Sequence, residues 1–175
     1  MVGRIGTIHQ ASMRVHRIDD PEILATQIID ILRDAVPHDY AAVYLVQGQK
    51  LAPFAVSDRG LGPTGLQSDK DYLRSLDLKL GENVTGWVAQ NNESVLIVDT
   101  LVDPRFLDSR PGVRSELCVP MRTNNTVIGV INLESNQIGA YTESERIVLE
   151  IIAVQLALSI ENATLRAAIQ KRSEA

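Results

Sequence analysis

An α+β domain, with helices on one face of an antiparallel sheet and a loop-covered pocket on the other, is predicted from three stretches of the sequence. The first runs from Arg114 to Ser135 and reads as two strands joined at an asparagine pair. The second is a helix start at Asp20-Pro21, followed by apolar residues at helical spacing. The third is the segment after Thr142, which holds neither glycine nor proline to its end.

In the first stretch, β-branched and aliphatic runs flank Asn124-Asn125, residues that tolerate positive φ, and this is a strong hairpin signal. A two-residue loop alone sets Glu116 opposite Leu133 and scatters polar and apolar side chains over both faces. A loop one residue longer, or a bulge, shifts the parity. Leu117, Val119, Met121, Val127, Gly129, Ile131 and Leu133 then share one face, and Glu116, Cys118, Pro120, Ile128, Val130, Asn132 and Glu134 share the other. Because a one-residue slip exchanges the faces, the clean apolar face selects this second register. Its reverse carries two carboxylates and an amide in an apolar field. Burying an unpaired carboxylate costs several kcal/mol, so Glu116 and Glu134 must meet water, a donor or a ligand. The plainer alternative is that they tie to Arg114, Arg105 or backbone amides.

The other elements follow in chain order. Residues 1–20 form a lead-in with scattered apolar positions (Ile5, Ile8, Met13, Val15, Ile18), read as a short helix carrying His9 and His16 as surface residues. Asp20 caps a helix with Pro21 at its first position; Leu24, Ile28, Ile31, Leu32, Ala35 and Val36 make its apolar face, and Pro37 ends it. Tyr40 to Gln47 and Leu51 to Asp58 read as a second hairpin joined through Gly48-Gln49-Lys50. Residues 59–77, with Gly60, Gly62, Pro63 and Gly65, form a long irregular stretch of the kind that serves as a lid, with a short helix at Asp69 to Ser75 inside it. A helix around Val84 to Gln90 stops at Asn91-Asn92, a strand covers Ser94 to Asp99, and Asp103 to Phe106 reads as the first turn of another short helix. Trp87 and Phe106 are by default packing residues.

Thr142 and Glu145 make a capping box that opens a helix of about 30 residues, roughly 45 Å long. Val148, Ile152, Leu156 and Ile160 form one apolar stripe; Ile147, Ile151, Val154, Leu158, Glu161, Leu165 and Ala168 follow a second with 4-3 spacing. Two stripes suit packing on the sheet and on a partner helix, hence a homodimer through the terminal helices. Residues 163–175 read as a helical extension leaving the domain, or as a tail frayed into solvent.

Composition sets bounds on function. At 175 residues the chain is one domain, able to bury roughly 70% of its unfolded surface. A net charge of −5 with no basic stripe excludes nucleic acid and anionic membrane as expected partners. The single cysteine rules out an internal disulfide and fits a reducing, cytoplasmic setting. No continuous apolar run reaches the ~18 residues of a membrane span. No catalytic triad, phosphate-binding glycine loop or metal-ligand spacing is present.

Taken together, T-G-W-V-A at Thr85 to Ala89, D-P-R-F at Asp103 to Phe106, S-E-L-C-V-P at Ser115 to Pro120 and I-G-V-I-N-L-E-S at Ile128 to Ser135 resemble the GAF domain family. The likeness covers roughly residues 21–162. It implies a six-stranded antiparallel sheet, terminal helices packed on one face, and a small-molecule pocket on the other. It also implies a sensory input module feeding an output domain of a longer parent chain, such as a histidine kinase or nucleotide cyclase in a two-component system. Fold does not name the ligand. The Asn-Lys…Phe…Asp-Glu motif of cyclic-nucleotide members is matched only at Phe106. The Cys-His of bilin members is absent, since Val119 follows Cys118, and residues 108–113 offer no histidine for haem. Free methionine-(R)-sulfoxide reductases, themselves single GAF domains, have substrate-contacting acids at positions that match Glu116 and Glu134. Their third acid falls on Asn132, and their catalytic cysteine falls on Ser109.

The expected function is therefore a non-catalytic sensory module with no fixed cofactor. An unknown small molecule would lie on Glu116, Asn132 and Glu134, on the face that Cys118 shares. Asp99, Arg105, Phe106 and Arg114 would form the rim, with Trp87 or Tyr44 as wall. The alternatives are a structural dimerisation module without ligand and, behind it, a sulfoxide reductase-like enzyme. A redox role for Cys118 would need a lowered thiol pKa and access.

Overall fold

The computed structural model describes residues 2–60 and 68–175. Among them, five α-helices and five strands follow in the order α1 (Val2–Val15), α2 (Pro21–Ala35), β1 (Tyr40–Gln47), β2 (Lys50–Val56), α3 (Asp69–Ser75), α4 (Asn83–Asn91), β3 (Val95–Ile97), β4 (Ser115–Thr123), β5 (Thr126–Ser135) and α5 (Glu143–Ser173). The strands make one antiparallel sheet in the order β2-β1-β5-β4-β3. Gly62, Pro63 and Gly65 of the expected lid, and the side chain of Ile5, lie outside the described residues.

The central hairpin resolves the choice between a longer loop and a bulge. Asn124 and Asn125 form a two-residue turn with φ of 50° and 64°, the doubly positive pattern that matches strand twist. Thr123 pairs with Thr126 and Arg122 with Val127, but Met121 pairs with Gly129, so Ile128 is the bulged residue. From Met121 onward the parity is the expected one, with Glu116 opposite Glu134, Cys118 opposite Asn132 and Leu117 opposite Leu133. The bulge also corrects one pair of positions. Val127 packs with the pocket-side cluster and Ile128 with the helix-side core, the reverse of the expected assignment, because the extra residue falls after Val127. Gly129 is dictated by close approach: a Cβ there would stand 2.2 Å from the Tyr44 carbonyl oxygen.

On the apolar side, α1, α2 and α5 cover Leu117, Val119, Met121, Ile131 and Leu133. Asp20 accepts from the N–H groups of Glu22 (2.8 Å) and Ile23 (3.3 Å). Glu145 accepts from the Thr142 N–H at 2.7 Å and from its hydroxyl, so both helix starts form as the sequence predicts. The stripe Val148, Ile152, Leu156 and Ile160 is buried on the sheet, whereas Ile147, Ile151, Val154, Leu158 and Leu165 are exposed. The last buried residue of α5 is Ala163. Over a window rather than a continuous run, α5 is long and apolar enough to cross a membrane, and half of that window is buried inside the fold. His9 meets Gln155 at 3.1 Å and His16 meets Ser159 at 2.7 Å, which docks α1 along α5.

Against the other face, α3 and α4 pack over Ala42, Tyr44, Cys118 and Val130. Gly86 lets α4 approach the chain before it, since a Cβ would sit 2.1 Å from the Lys79 carbonyl oxygen.

Three expectations are corrected. The sheet has five strands among the described residues, not six: beyond β2 only a single bridge, Lys50 to Lys79, continues it, because Gly81 and the start of α4 follow within a few residues. The strand expected over Ser94 to Asp99 is confined to Val95–Ile97, because Asp99 caps a 3-10 turn at Thr100–Val102. Asp103 to Phe106 is a turn and not a helix, closed by Phe106 N–H to Asp103 O at 3.2 Å and by the Arg105 N–H on the Asp103 carboxylate.

Candidate functional site

Antiparallel pairing lays the polar residues out in rows across the sheet. Ile97, Glu116, Glu134 and Tyr40 stand side by side on β3, β4, β5 and β1; in the next row come Val95, Cys118, Asn132 and Ala42; Tyr44 lies in the third, beside Val130 and Pro120. Pro120 fits mid-strand because β3 ends before it and needs no N–H there. The acid row lies at the end of the sheet where β4 begins, beneath the residues that follow β3.

Glu116 and Glu134 are 4% and 6% exposed, and Asn132 is 4% exposed. The Asn132 amide donates to Glu134 Oε1 at 3.3 Å. Glu116 Oε2 and Asn132 Oδ1 are buried with no hydrogen-bond partner among the described residues. Burial pushes the Glu116 carboxyl well above the usual range, reinforced by the opposing Glu134 charge and offset in part by Asn132. Glu134 is pushed up to about 7 by burial, with Arg110 opposing the shift. Two carboxyls this close and this dry favour holding a proton at neutral pH.

Arg110 is the residue that sequence reasoning missed. It is 3% exposed, stands over the Tyr40 ring at 5.0 Å, and reaches Ser57 Oγ at only 3.5 Å; its Nε and Nη2 have no partner among the described residues. A lone arginine between Ser109 and Pro111 in an irregular loop carries no sequence signal; only the need of Glu134 for a nearby cation hints at it. Tyr40, whose hydroxyl donates to Pro111 O at 3.1 Å, was likewise not expected at the site.

The predicted rim residues divide. Arg105 is held by the Asp103 carboxylate through Nε (3.1 Å) and Nη2 (2.8 Å), and its guanidinium lies 4.8 Å from the Trp87 ring. That pairing holds Asp103 below its usual range and raises Arg105. Arg114 is bound to Asp99 at 3.3 Å, and Asp99 also caps the 3-10 turn. Both arginines are therefore occupied by neighbours other than the acids they were expected to neutralise. Phe106 is half-buried. Tyr44 and Trp87 both belong to the pocket-side cluster, Tyr44 fully within it. Hollows on the described surface lie between α2 and β2 and along α5. Among the described residues no group of three or more His, Cys, Asp or Glu is placed to hold a metal.

A shared architecture accounts for this layout, and the GAF domain family model matches residues 20–160. The chain belongs to the GAF domain family. Two curated relatives are cyclic-nucleotide phosphodiesterases by name. Over 166 residues the chain is 25% identical to "Probable 3',5'-cyclic phosphodiesterase pde-5" of Caenorhabditis elegans, covering 91% of this chain and 23% of that protein. Over 159 residues it is 28% identical to dual 3',5'-cyclic-AMP and -GMP phosphodiesterase 11A of Takifugu rubripes, covering 85% and 17%. This GAF domain thus spans about a fifth of the length of those relatives. Among solved structures, the GAF domain of a Coxiella burnetii phosphoenolpyruvate-protein phosphotransferase superposes with a TM-score of 0.74 at 18% identity, covering 94% of this chain and 96% of that one. A free methionine-R-sulfoxide reductase from Neisseria meningitidis, in complex with its substrate, gives 0.73 at 19% identity, covering 90% and 88%. At such identities the likeness establishes the fold alone.

In this GAF domain thiol chemistry has no ready nucleophile. The one cysteine, Cys118, is fully buried, and burial together with Glu116 and Glu134 pushes its thiol well up, opposite to what a reactive thiolate or redox sensor needs. Ser109 occupies the loop position where the resemblance expects the reductase cysteine.

The acid pair makes stability depend on pH. Between the ordinary Glu value of 4.5 and about 7, the folded state keeps on Glu134 a proton that the unfolded chain has released, so stability falls as pH rises through that window and stays reduced above it. Glu134→Gln is expected to gain up to about 3 kcal/mol over wild type at alkaline pH, from about 1.4 kcal/mol per pKa unit, and to flatten part of the slope. Urea unfolding across pH measures this; a variant less stable than wild type at alkaline pH would contradict it.

Proposed function

We propose that this GAF domain is a non-catalytic input module that binds a small molecule on the Glu116–Asn132–Glu134 floor and passes the event to its terminal helices. One observation carries the reading: acceptor atoms on Glu116 and Asn132 and donor atoms on Arg110 are buried together without partners among the described residues, at one end of the sheet. Left unmatched, each such group costs about 1–3 kcal/mol, and a ligand that matches them recovers that cost. The relay follows from strand alternation: Leu117 and Leu133, next to Glu116 and Glu134 in the chain, point the other way into the core that α5 covers. A shift of the floor therefore presses on α5, and two packings of the terminal helices supply the states that binding would bias. Their output would be a further domain of a longer protein, as the length of the phosphodiesterase relatives suggests, in the reducing cytoplasmic setting that the single cysteine fits.

A thermal-shift screen of the 175-residue chain tests binding. At a hundredfold excess over Kd a ligand adds about 2.7 kcal/mol, or roughly 5–10 °C in Tm, and Glu116→Gln is expected to lose most of that shift while staying folded by circular dichroism. Absence of a hit from every chemical class would count against the reading.

The second reading, a dimerisation module without ligand, draws on the exposed stripe of Ile147, Ile151, Val154, Leu158 and Leu165 along α5. A second copy laid along this stripe belongs to both readings. Leu158→Asp with Leu165→Asp is expected to convert a sedimenting dimer to monomer without unfolding it; wild-type protein that sediments as monomer at all concentrations would rule the dimer out.

A further inference from the structure

We propose that the hydrogen bond from Thr123 to Glu161 is the point at which the sheet steers the outgoing part of α5. This rests on the relay proposed above, names the contact that carries it, and lies on the opposite face of the sheet from the acids. The Thr123 hydroxyl donates to Glu161 Oε2 at 2.5 Å. Strand alternation sets Thr123 in line with Leu117, Val119 and Met121 on the side that α5 covers, and it is the last residue of β4 before the asparagine turn. Glu116 stands near the other end of the same strand, roughly 23 Å away at the usual rise per residue. Because β4 is paired with β5 from Ser115 to Thr123, a displacement at one end is carried to the other.

Little else holds α5 at this point. Ala163 is the last buried residue of the helix, and from Leu165 onward only Ala167 is even partly buried. On the flank toward β1, a hollow of about 280 Å³ lined by Leu45, Ile128, Ile160 and Thr164 lies beside Glu161, so packing on that side is incomplete. Among the described residues, the other polar tie from this segment to the rest of the fold joins Arg166 to Asp19 in the α1–α2 turn. Both of its side chains are more than half exposed, and exposed ion pairs hold little in water. A hydroxyl donating to a carboxylate in a partly covered place belongs to the stronger class of hydrogen bond.

The helix is also prepared to bend here. The Thr164 hydroxyl donates back to the Ile160 and Glu161 carbonyls at 2.9 and 3.0 Å, and the Ser159 hydroxyl donates to the Gln155 carbonyl at 3.2 Å. Back-bonding of this kind slightly destabilises a helix and often bends it. With the tie made, the exit segment is held to the tip of the central hairpin; with it broken, the segment beyond Ala163 is free to turn about Ser159 to Thr164. Such a pair of arrangements is what a relay through α5 needs.

Amide hydrogen exchange of the 175-residue chain, read by NMR, tests this without any ligand, so its outcome is separate from that of the binding screen. Thr123→Val is expected to speed exchange at residues 161–170 roughly tenfold, as loss of a hydrogen bond to a charged group should, while Leu149 to Leu156 keep wild-type rates. Thr123→Ser, which keeps the hydroxyl, is expected to restore the protection. Glu161→Ala is expected to match Thr123→Val, with no further effect in the double variant. Glu116→Gln is expected to change exchange in the same segment by about twofold or more, and to lose that effect in the Thr123→Val background. Should Thr123→Val also loosen the hairpin, seen as faster exchange at Leu117 and Ile131, Glu161→Ala decides alone on the tie and serves as the background for Glu116→Gln. Unchanged exchange at 161–170 in the deciding variant, or additive effects in the double variant, overturns the tie. A segment that ignores Glu116→Gln, or that responds to it equally with the tie removed, overturns the steering.

Discussion

One bulge decides what each face of this sheet is for. The Asn124-Asn125 turn by itself would set Glu116 against Leu133; the extra residue at Ile128 moves the partner by one, and every side chain from Met121 back to Ser115 takes the opposite face relative to β5. Leu117, Val119, Ile131 and Leu133 then coincide under α5, and Glu116, Cys118, Asn132 and Glu134 coincide on the other side. The close contact of Gly129 with the Tyr44 carbonyl is part of the same device, since it pins β5 against β1 immediately beyond the bulge.

That parity has an energetic consequence. A pair of facing carboxyls in a dry site lowers stability at neutral pH, and Arg110 offsets this only in part because it makes no hydrogen bond to either acid. The helix side supplies the compensation, with two well-capped helices and an apolar core from Leu24 to Ile160. The binding reading proposed above would give this cluster, kept against the fold's own stability, its reason to persist. The expected ties to Arg105 and Arg114 are absent for a simple reason: Asp103 and Asp99, close by in sequence, hold those arginines first.

Most of the fold was legible because its signals are local. Asp20-Pro21, the Thr142–Glu145 box, the asparagine turn and Asn92 at the end of α4 each act within a few residues, and each stands where the sequence put it. The faces of the central hairpin were legible because one register alone gives an apolar side. What local signals could not locate was the bulge itself, so Val127 and Ile128 were exchanged, and the 3-10 turn at Asp99 was displaced to Asp103 because Asp-Pro mimics a helix start. Arg110 was out of reach altogether. Its role comes from the loop's path over Tyr40, a contact between residues 70 apart in sequence.

The account stands on the claim that Glu116 and Glu134 share a dry site and keep a proton there at neutral pH. A carbon-13 NMR titration of glutamate side-chain carboxyls, assigned through Glu116→Gln and Glu134→Gln, reads this directly. Two resonances displaced upward from the remaining glutamates, one titrating near 7, are the predicted result. Two carboxyls that titrate together with the solvent-exposed glutamates would contradict it.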